Sequence, residues 1–168
     1  MLQGRRNIFI VVGVIVVLGI IVEIIPWGNI IPAFAETNPP VQTQIQWNNA
    51  NTEQLVKMAC YDCHSNETVW PWYAHITPVS WLVAHDTNEG RQRLNFSTQS
   101  ANQINPNELV EQIQRGSMPK GIYTIMHPAA NLSAEQKAEL IAGIQASLHG
   151  TRGGFEGGLV PNGDSDAG

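Results

Sequence analysis

Cysteine is scarce in this 168-residue chain, which contains only Cys60 and Cys63. No third or fourth cysteine is present to complete a four-cysteine zinc site or to form a disulfide with either of the two. Basic residues are also few, with 9 Lys and Arg against 14 Asp and Glu and a formal net charge of -5. Because an acidic surface repels phosphate backbones, the composition argues against nucleic acid as a partner.

The sequence has no internal repeat and no run of alternating strands, whereas helix signals recur along it. Each signal combines an N-cap residue with apolar residues at helical spacing, and most are followed by a terminating glycine or asparagine. The predicted starts are Asn51 or Thr52, Thr77 with Pro78, Asn105 with Pro106, and Ser133; the last three helices are predicted to end near Asn88 and Gly90, at Gly116 and at Gly150. We therefore predict an all-α fold.

A long apolar run occupies residues 8–25 and is interrupted only by Glu23. About 20 such residues span a bilayer as a helix. A cleavable signal peptide is the alternative, because residues 33–35 (AFA) resemble a cleavage site, but the run exceeds the usual signal core of about 7 to 15 residues. We predict a single-pass anchor in the cytoplasmic membrane. Arg5 and Arg6 precede it, so the rest of the chain is expected on the extracytoplasmic, periplasmic side.

Four segments follow from this pattern. Residues 1–27 are predicted to be the transmembrane anchor or an uncleaved signal, and residues 28–50, which include a Pro-Pro pair, an extended linker. Residues 51–149 are predicted to be the folded domain. Residues 150–168 are rich in glycine and poor in apolar residues, which predicts a flexible tail.

The two cysteines lie in Cys60-Tyr-Asp-Cys63-His64, the C-x-x-C-H pattern typical of covalent c-type haem attachment. Two intervening residues place the thiols at the two haem vinyl groups, and the adjacent imidazole reaches the iron. The alternatives are a thioredoxin-like redox pair or two chance cysteines of which one binds metal. A redox pair expects a preceding strand, whereas a helix is predicted here, so we predict one covalent haem c with His64 as iron ligand.

Met118 is the predicted sixth iron ligand. It lies in Gly116-Ser-Met-Pro119, where glycine and proline indicate an irregular, rigid loop, and a thioether is a soft ligand that raises the reduction potential. Packing as a core methionine is the alternative. His127 and His85 are the rival ligands, although Glu89, one helical turn after His85, favours a hydrogen-bonded surface histidine there.

Several other residues are candidates for contact with the haem. Aromatic side chains follow the motif at Trp70, Trp72, Tyr73 and Trp81, and they are suited either to walling a porphyrin or to forming an ordinary core. Arg91 and Arg93 are either propionate partners or solvated arginines.

The stretch CYDCHSNETVWPWYAHITPVSWLVAHDTNEGRQRLNFS, followed by GSMP and MHPAANLSAEQ, resembles the bacterial haem-binding domain family of small anchored proteins. The resemblance covers roughly residues 37 to 148, including the TNPPV segment. It implies Cys60, Cys63 and His64 as the haem site and draws attention to Met118, His85 and His127. Lys120-Gly121 departs from the family, which is usually richer in proline and aromatics after the Met-Pro pair.

The order of C-x-x-C-H, Met-Pro loop and terminal helix is also similar to class I c-type cytochromes, which implies a cytochrome c-like helical haem domain. The function expected from this is one-electron transfer without catalytic residues, so the chain is expected to be an electron-transfer protein more than an enzyme. The expected partners are the membrane and a redox protein or a respiratory or photosynthetic complex. A peroxidase-like haem enzyme or a haem-based redox or gas sensor is the alternative.

Overall fold

The structure is a computed structural model that describes residues 2–149. The tail predicted at 150–168, and Gly150 as the predicted end of the last helix, lie outside these residues. Among the described residues all regular secondary structure is helical, so the predicted all-α class is confirmed. The helices are α1 (Leu2–Ile24), α2 (Trp27–Ile30), α3 (Ala50–Val56), α4 (Asp62–His64), α5 (Val79–Arg93), α6 (Pro106–Gln114), α7 (Gly121–Met126) and α8 (Ala134–His149). A π-helical turn (Lys57–Tyr61) joins α3 to α4, and short 3₁₀ helices occur at Pro32–Phe34, Trp72–His75, Ala101–Gln103 and Pro128–Ala130.

Helix α1 is long and apolar enough to cross a membrane over Gly4–Ile24, a test that a signal sequence would also pass. The apolar side chains of α1 are exposed along almost the whole helix. Such a surface is stable in lipid and costly in water.

The described residues divide into two compact units, the first comprising 2–42 with 60–98 and the second comprising 43–59 with 99–149. In the first unit, α5 packs against α4 and against the 3₁₀ helices at Pro32–Phe34 and Trp72–His75. Ala84 and Thr87 form the buried side of α5.

The segment after α1, where an extended linker was predicted, begins with two short helical turns, α2 and Pro32–Phe34. These turns are attached to α5. The Asn88 side-chain amide donates to the carbonyls of Ala33 and Ala35, at 3.1 Å each, and the Phe34 ring stacks on Trp81 with a centroid separation of 5.6 Å. Residues 33–35 of the predicted linker therefore pack against α5 within the first unit.

In the second unit, α8 packs against α3 and α6. Leu140, Ile144 and Leu148 are buried along one side of α8, as their helical spacing predicted. The close approach of α8 to α3 requires a glycine, since a Cβ on Gly143 would overlap the side chain of Thr52.

Two of the predicted helix starts are confirmed. The Asn105 side chain accepts a hydrogen bond from Asn107 N at 3.2 Å with Pro106 at the first helical position, and Ser133 Oγ accepts from Gln136 N at 3.2 Å. Gly116 ends α6 in the left-handed region at φ 70°, which a residue without a Cβ adopts at low cost.

Three other helix boundaries were wrong, namely the start of α3 and both ends of α5. The N-cap of α3 is Asn49, whose side chain accepts from Thr52 N at 2.8 Å, instead of Asn51 or Thr52. Helix α5 begins at Val79 without a side-chain cap and continues past Asn88 and Gly90 to Arg93. Gly90 lies inside the helix because its contacts with the C-x-x-C-H motif compensate for its low helix propensity.

Candidate functional site

The C-x-x-C-H motif ends a helical stretch that runs from α3 through the π-helical turn to α4. Cys60 lies in the π-helical turn, and Cys63 and His64 lie in α4. A π turn adds one residue to a helical turn and is frequent at functional sites. The stretch stops at Ser65, whose backbone is extended and whose hydroxyl donates to Tyr61 O at 2.9 Å.

The His64 ring is oriented by two main-chain carbonyls. Its Nδ1 lies 3.0 Å from Gly90 O and 3.1 Å from Leu94 O. A carbonyl oxygen only accepts hydrogen bonds, so Nδ1 carries the proton and the lone pair of the neutral ring is on Nε2. This tautomer is the one in which metal-binding histidines are usually held.

Gly90 also determines how closely α5 approaches the motif. A Cβ at this position would overlap the Cys63 carbonyl oxygen and lie 3.3 Å from Cys63 Cβ. The overlapping atom belongs to the backbone, which cannot rotate away. The absence of a side chain at Gly90 therefore brings its carbonyl within reach of His64.

The cysteine environment does not suit a thioredoxin-like redox pair. Cys60 and Cys63 are not joined by a disulfide, and burial, followed by the charge of Cys63, raises the pKa of the Cys60 thiol to about 12. Reactive redox cysteines instead have lowered pKa values, commonly at the N-terminus of a helix. The motif lies at the C-terminal end of its helical stretch, where the helix dipole disfavours a thiolate.

Arg91 donates hydrogen bonds to protein atoms of the first unit. The sequence analysis had left open whether Arg91 is a propionate partner or a solvated arginine. Its Nε donates to Ser65 O at 2.6 Å and its Nη1 to Thr37 O at 2.6 Å. Its Nη2 donates to Asn38 Oδ1 at 2.8 Å and to Thr68 Oγ1 at 2.7 Å. One guanidinium thus connects α5 with Ser65 and Thr68, which follow the motif, and with Thr37 and Asn38, which precede α3. Desolvation lowers the pKa of Arg91.

The aromatic residues after the motif differ in burial and in their neighbours. Trp81 packs edge-on against Trp27, with ring centroids 5.0 Å apart, and stacks on Phe34. Trp72 contacts Tyr73 edge-on at 5.7 Å but is 72% exposed. At least Trp81 is therefore part of the packing between α5 and the residues that follow α1.

The predicted sixth ligand and its main rival belong to the second unit, whereas His64 belongs to the first. Met118 is half-buried, and its backbone N–H donates to Gln112 O at 3.3 Å. The His127 ring stacks on Tyr123 at 4.1 Å and its Nδ1 lies 3.2 Å from Tyr123 O. That carbonyl fixes the same tautomer as in His64, so Nε2 of His127 also carries a lone pair. Met118 as the ligand stays a prediction.

His85 has a different neighbour from the one predicted. Its Nδ1 lies 3.7 Å from Asp86 Oδ1, whereas Glu89 accepts a hydrogen bond from Arg93 Nη2 at 2.8 Å. His85 is exposed, and its role, whether surface histidine or rival iron ligand, stays a prediction.

Residues 17–146 match the model of the haem-binding domain family. The chain belongs to this family. No curated protein and no solved structure matches the chain. The family confirms the resemblance drawn from the motif blocks, while the similarity to class I cytochromes stays a prediction.

The haem-binding domain family also identifies the chain as a haem protein, and the residues present suit the group. An imidazole in the ligand tautomer follows two thiols that are not consumed in a disulfide. His64 as the nitrogen ligand of a bound haem, and Cys60 and Cys63 as its attachment residues, stay predictions.

Sequence reasoning missed the groups that orient His64. Main-chain carbonyls leave no signature in the sequence, so Leu94 could not have been found. Gly90 could have been, because a glycine inside a helix costs about 1 kcal/mol relative to alanine and calls for a packing reason. Arg91 was singled out, but its four acceptors, two of them main-chain oxygens, could not be inferred from spacing.

Proposed function

We propose that this chain is a membrane-anchored monohaem c-type cytochrome that transfers single electrons on the extracytoplasmic side of the cytoplasmic membrane. The observation that carries the proposal is His64, the last residue of C-x-x-C-H, with Nδ1 hydrogen-bonded to two carbonyls in a chain of the haem-binding domain family. A bound haem supplies one-electron chemistry, and the protein holds its ligand and limits access to the iron.

Covalent attachment is tested by mass and extraction. The matured protein is expected to have the mass of the polypeptide plus one haem, and acidified acetone is expected to leave the colour with the protein. Cys60→Ala and Cys63→Ala should each leave one thioether, and the double variant should release its haem. A mass equal to that of the bare polypeptide would exclude a c-type cytochrome.

The sixth ligand is proposed to be Met118, on the basis of its Gly-Ser-Met-Pro loop and the preference of haem iron for soft sulfur donors in high-potential sites. Met118→Ala should abolish the sulfur-to-iron charge-transfer band of the ferric protein and lower the reduction potential. Met126→Ala, the matched control, should preserve both. If instead His127→Ala alters the spectrum and Met118→Ala does not, the iron has two histidine ligands.

Retention of the N-terminal helix is supported by contacts that cleavage after Ala35 would remove. Trp27 and Phe34 both pack on Trp81, and Glu23 Oε1 accepts a hydrogen bond from Thr77 N at 2.9 Å. Intact mass of the protein extracted from membranes should therefore include residues 1–35. Protease added to intact spheroplasts should digest the domain that follows α1, since Arg5 and Arg6 favour a cytoplasmic N-terminus.

Electron transfer is distinguished from the alternative by whether the sixth position is open. A six-coordinate electron carrier should bind carbon monoxide in the ferrous state and cyanide in the ferric state slowly or weakly. Rapid binding of either molecule would instead favour a peroxidase-like enzyme or a sensor.

A further inference from the structure

The first unit carries an aromatic-rich segment, residues 69–82, that the function proposed above does not use. Two carboxylates contact it, Glu36 Oε2 at 2.8 Å from His75 Nδ1 and Asp62 Oδ1, which accepts from Val69 N at 3.0 Å. Residues 69–82 contain no Asp, Glu, Lys or Arg, and the same is true of residues 24–35 that follow Glu23. Within 69–82, Val69 is 75% exposed, Trp72 72%, Ile76 44% and Val79 42%. Side chains of this size are seldom exposed together in water without a partner. We call Trp72, Ile76 and Val79, with Val69, the apolar surface.

The segment that carries the apolar surface contacts the end of α1 through two neighbouring residues, Thr77 and Trp81. Thr77, which lies between Ile76 and Val79, donates its backbone N–H to Glu23 Oε1 at 2.9 Å, and Glu23 lies at the end of α1. The Trp27 and Trp81 rings meet at 5.0 Å. The start of α5 is therefore next to the point where α1 ends.

Glu23 indicates how deep the end of α1 lies in the bilayer. A carboxylate is costly inside the hydrocarbon layer, so the end of α1 that carries Glu23 belongs at the boundary between lipid and water. Trp27 follows, with its indole Nε1 donating to Val22 O at 2.9 Å, and tryptophan is enriched at that boundary. Residues joined to Glu23 and Trp27 by direct contacts are expected at a similar depth.

We propose that the apolar surface lies in the interfacial layer of the bilayer, so that the first unit rests on the lipid surface beside its own anchor. The proposal depends on the membrane anchoring proposed above. It commits to lipid as the occupant because the segment that carries the surface contacts the end of the helix that would span the membrane. Trp72 and Tyr73 suit this layer, since each combines an apolar ring with a polar group.

The test uses the full-length, haem-loaded protein in vesicles of phosphatidylcholine and phosphatidylglycerol that contain a small share of photoreactive lipid. One lipid carries its diazirine next to the headgroup, and a second carries it at the end of an acyl chain. After illumination, peptide mass spectrometry locates the lipid adducts. We expect the headgroup-proximal probe to label residues 69–82, and the chain-end probe to label the middle of α1.

Variants make the result specific. Trp72→Glu and Ile76→Glu should reduce labelling of 69–82 several-fold, whereas Trp72→Phe should preserve it. Gln92→Glu, which adds the same charge at an exposed position near the other end of α5, should leave it unchanged.

The outcomes separate this proposal from the proposed function. Lipid adducts on α1 but none on 69–82 would overturn the interfacial position and leave the anchor intact. An absence of adducts on α1 would overturn the anchor, and the interfacial position with it. Photoreactive lipid excluded from 69–82 together with a chemical cross-link between two copies through this segment would assign the surface to a second chain, and would also overturn the proposal.

Discussion

At the scale of single residues, Gly90 contacts the last two residues of the C-x-x-C-H motif. Its carbonyl accepts from His64, and the space where its side chain would be is taken by the backbone of Cys63. Helix α5 gives up helix propensity at this position, and the gain is a fixed ring orientation for the predicted iron ligand.

Gly90→Ala is expected to lower the fraction of haem-loaded protein and to shift the reduction potential, because α5 must move away from Cys63 and its carbonyl from His64. By helix propensity alone the same change would stabilise the chain by about 1 kcal/mol, so the sign of the effect is informative. Gly121→Ala is the control, since a Cβ there meets no atom within 4 Å. Haem content and potential are measured for both; an unaltered Gly90→Ala protein would contradict the role given to this glycine.

Arg91→Gln is expected to destabilise the haem-loaded protein by about 2 to 3 kcal/mol, because several hydrogen bonds from a charged group to partly buried acceptors are lost. The neighbouring Arg93→Gln should cost only about 0.3 to 0.5 kcal/mol, since Arg93 makes an exposed i,i+4 pair with Glu89. Urea unfolding in detergent measures both. Limited proteolysis should in addition show faster cleavage at residues 36–42 in Arg91→Gln alone. Equal cleavage in the two variants would contradict the conclusion that Arg91 holds this segment in place.

At the scale of helices, α3 and α8 are held at short distance by Gly143 and Thr52. Gly143→Ala should cost about 1 to 3 kcal/mol through overpacking, although alanine is the better helix former. A Cβ there would lie 2.8 Å from Thr52 Cβ and overlap its Oγ1 and Cγ2. Adding Thr52→Ala should recover part of the loss. The free energy of unfolding followed by circular dichroism gives the answer, and additive single-variant effects would show that the two sites do not meet.

The starts of α6 and α8 were predictable from the sequence, whereas the similar Thr77-Pro78 signal did not mark a side-chain cap for α5. Asn105 before Pro106 and Ser133 three residues before Gln136 cap their helices as expected. Asn49 was missed because Asn48, Asn51 and Thr52 are equally good capping residues, and tertiary packing chooses among them. The end of α5 was missed because Gly90 was interpreted as a helix end, and the packing reason that a glycine inside a helix calls for was not considered.

The site was predictable to the same limited degree. Cys60, Cys63 and His64 form one local pattern, so the sequence alone identifies them as candidates, and their role in holding haem stays a prediction. The partners of His64 lie 26 and 30 residues away in the chain. Contacts of that separation depend on how α5 packs, which spacing does not reveal.

At the scale of the whole molecule, residues 23–35 belong to the fold of the first unit. A chain that starts at Glu36 should be less stable by about 2 to 5 kcal/mol, because Trp81 loses two aromatic neighbours and Asn88 loses two acceptors. A chain lacking only residues 2–20 retains these contacts and is the control. Both are exported with the same foreign leader, and thermal unfolding and binding of a hydrophobic dye are compared. Equal stability would mean that the segment is dispensable and a signal sequence could have been removed there.

The attachment of residues 33–38 to α5 and to the segment after the motif limits how the protein meets others. A redox group on a loose tether sweeps a volume and reaches partners at many heights above the lipid. If α1 lies in a bilayer and residues 33–38 stay hydrogen-bonded to α5, the motif diffuses only laterally, together with the anchor. If the proposed electron transfer holds, a redox partner has to present its own redox group at that one height, and the rate of encounter depends on the number of both proteins per area of membrane.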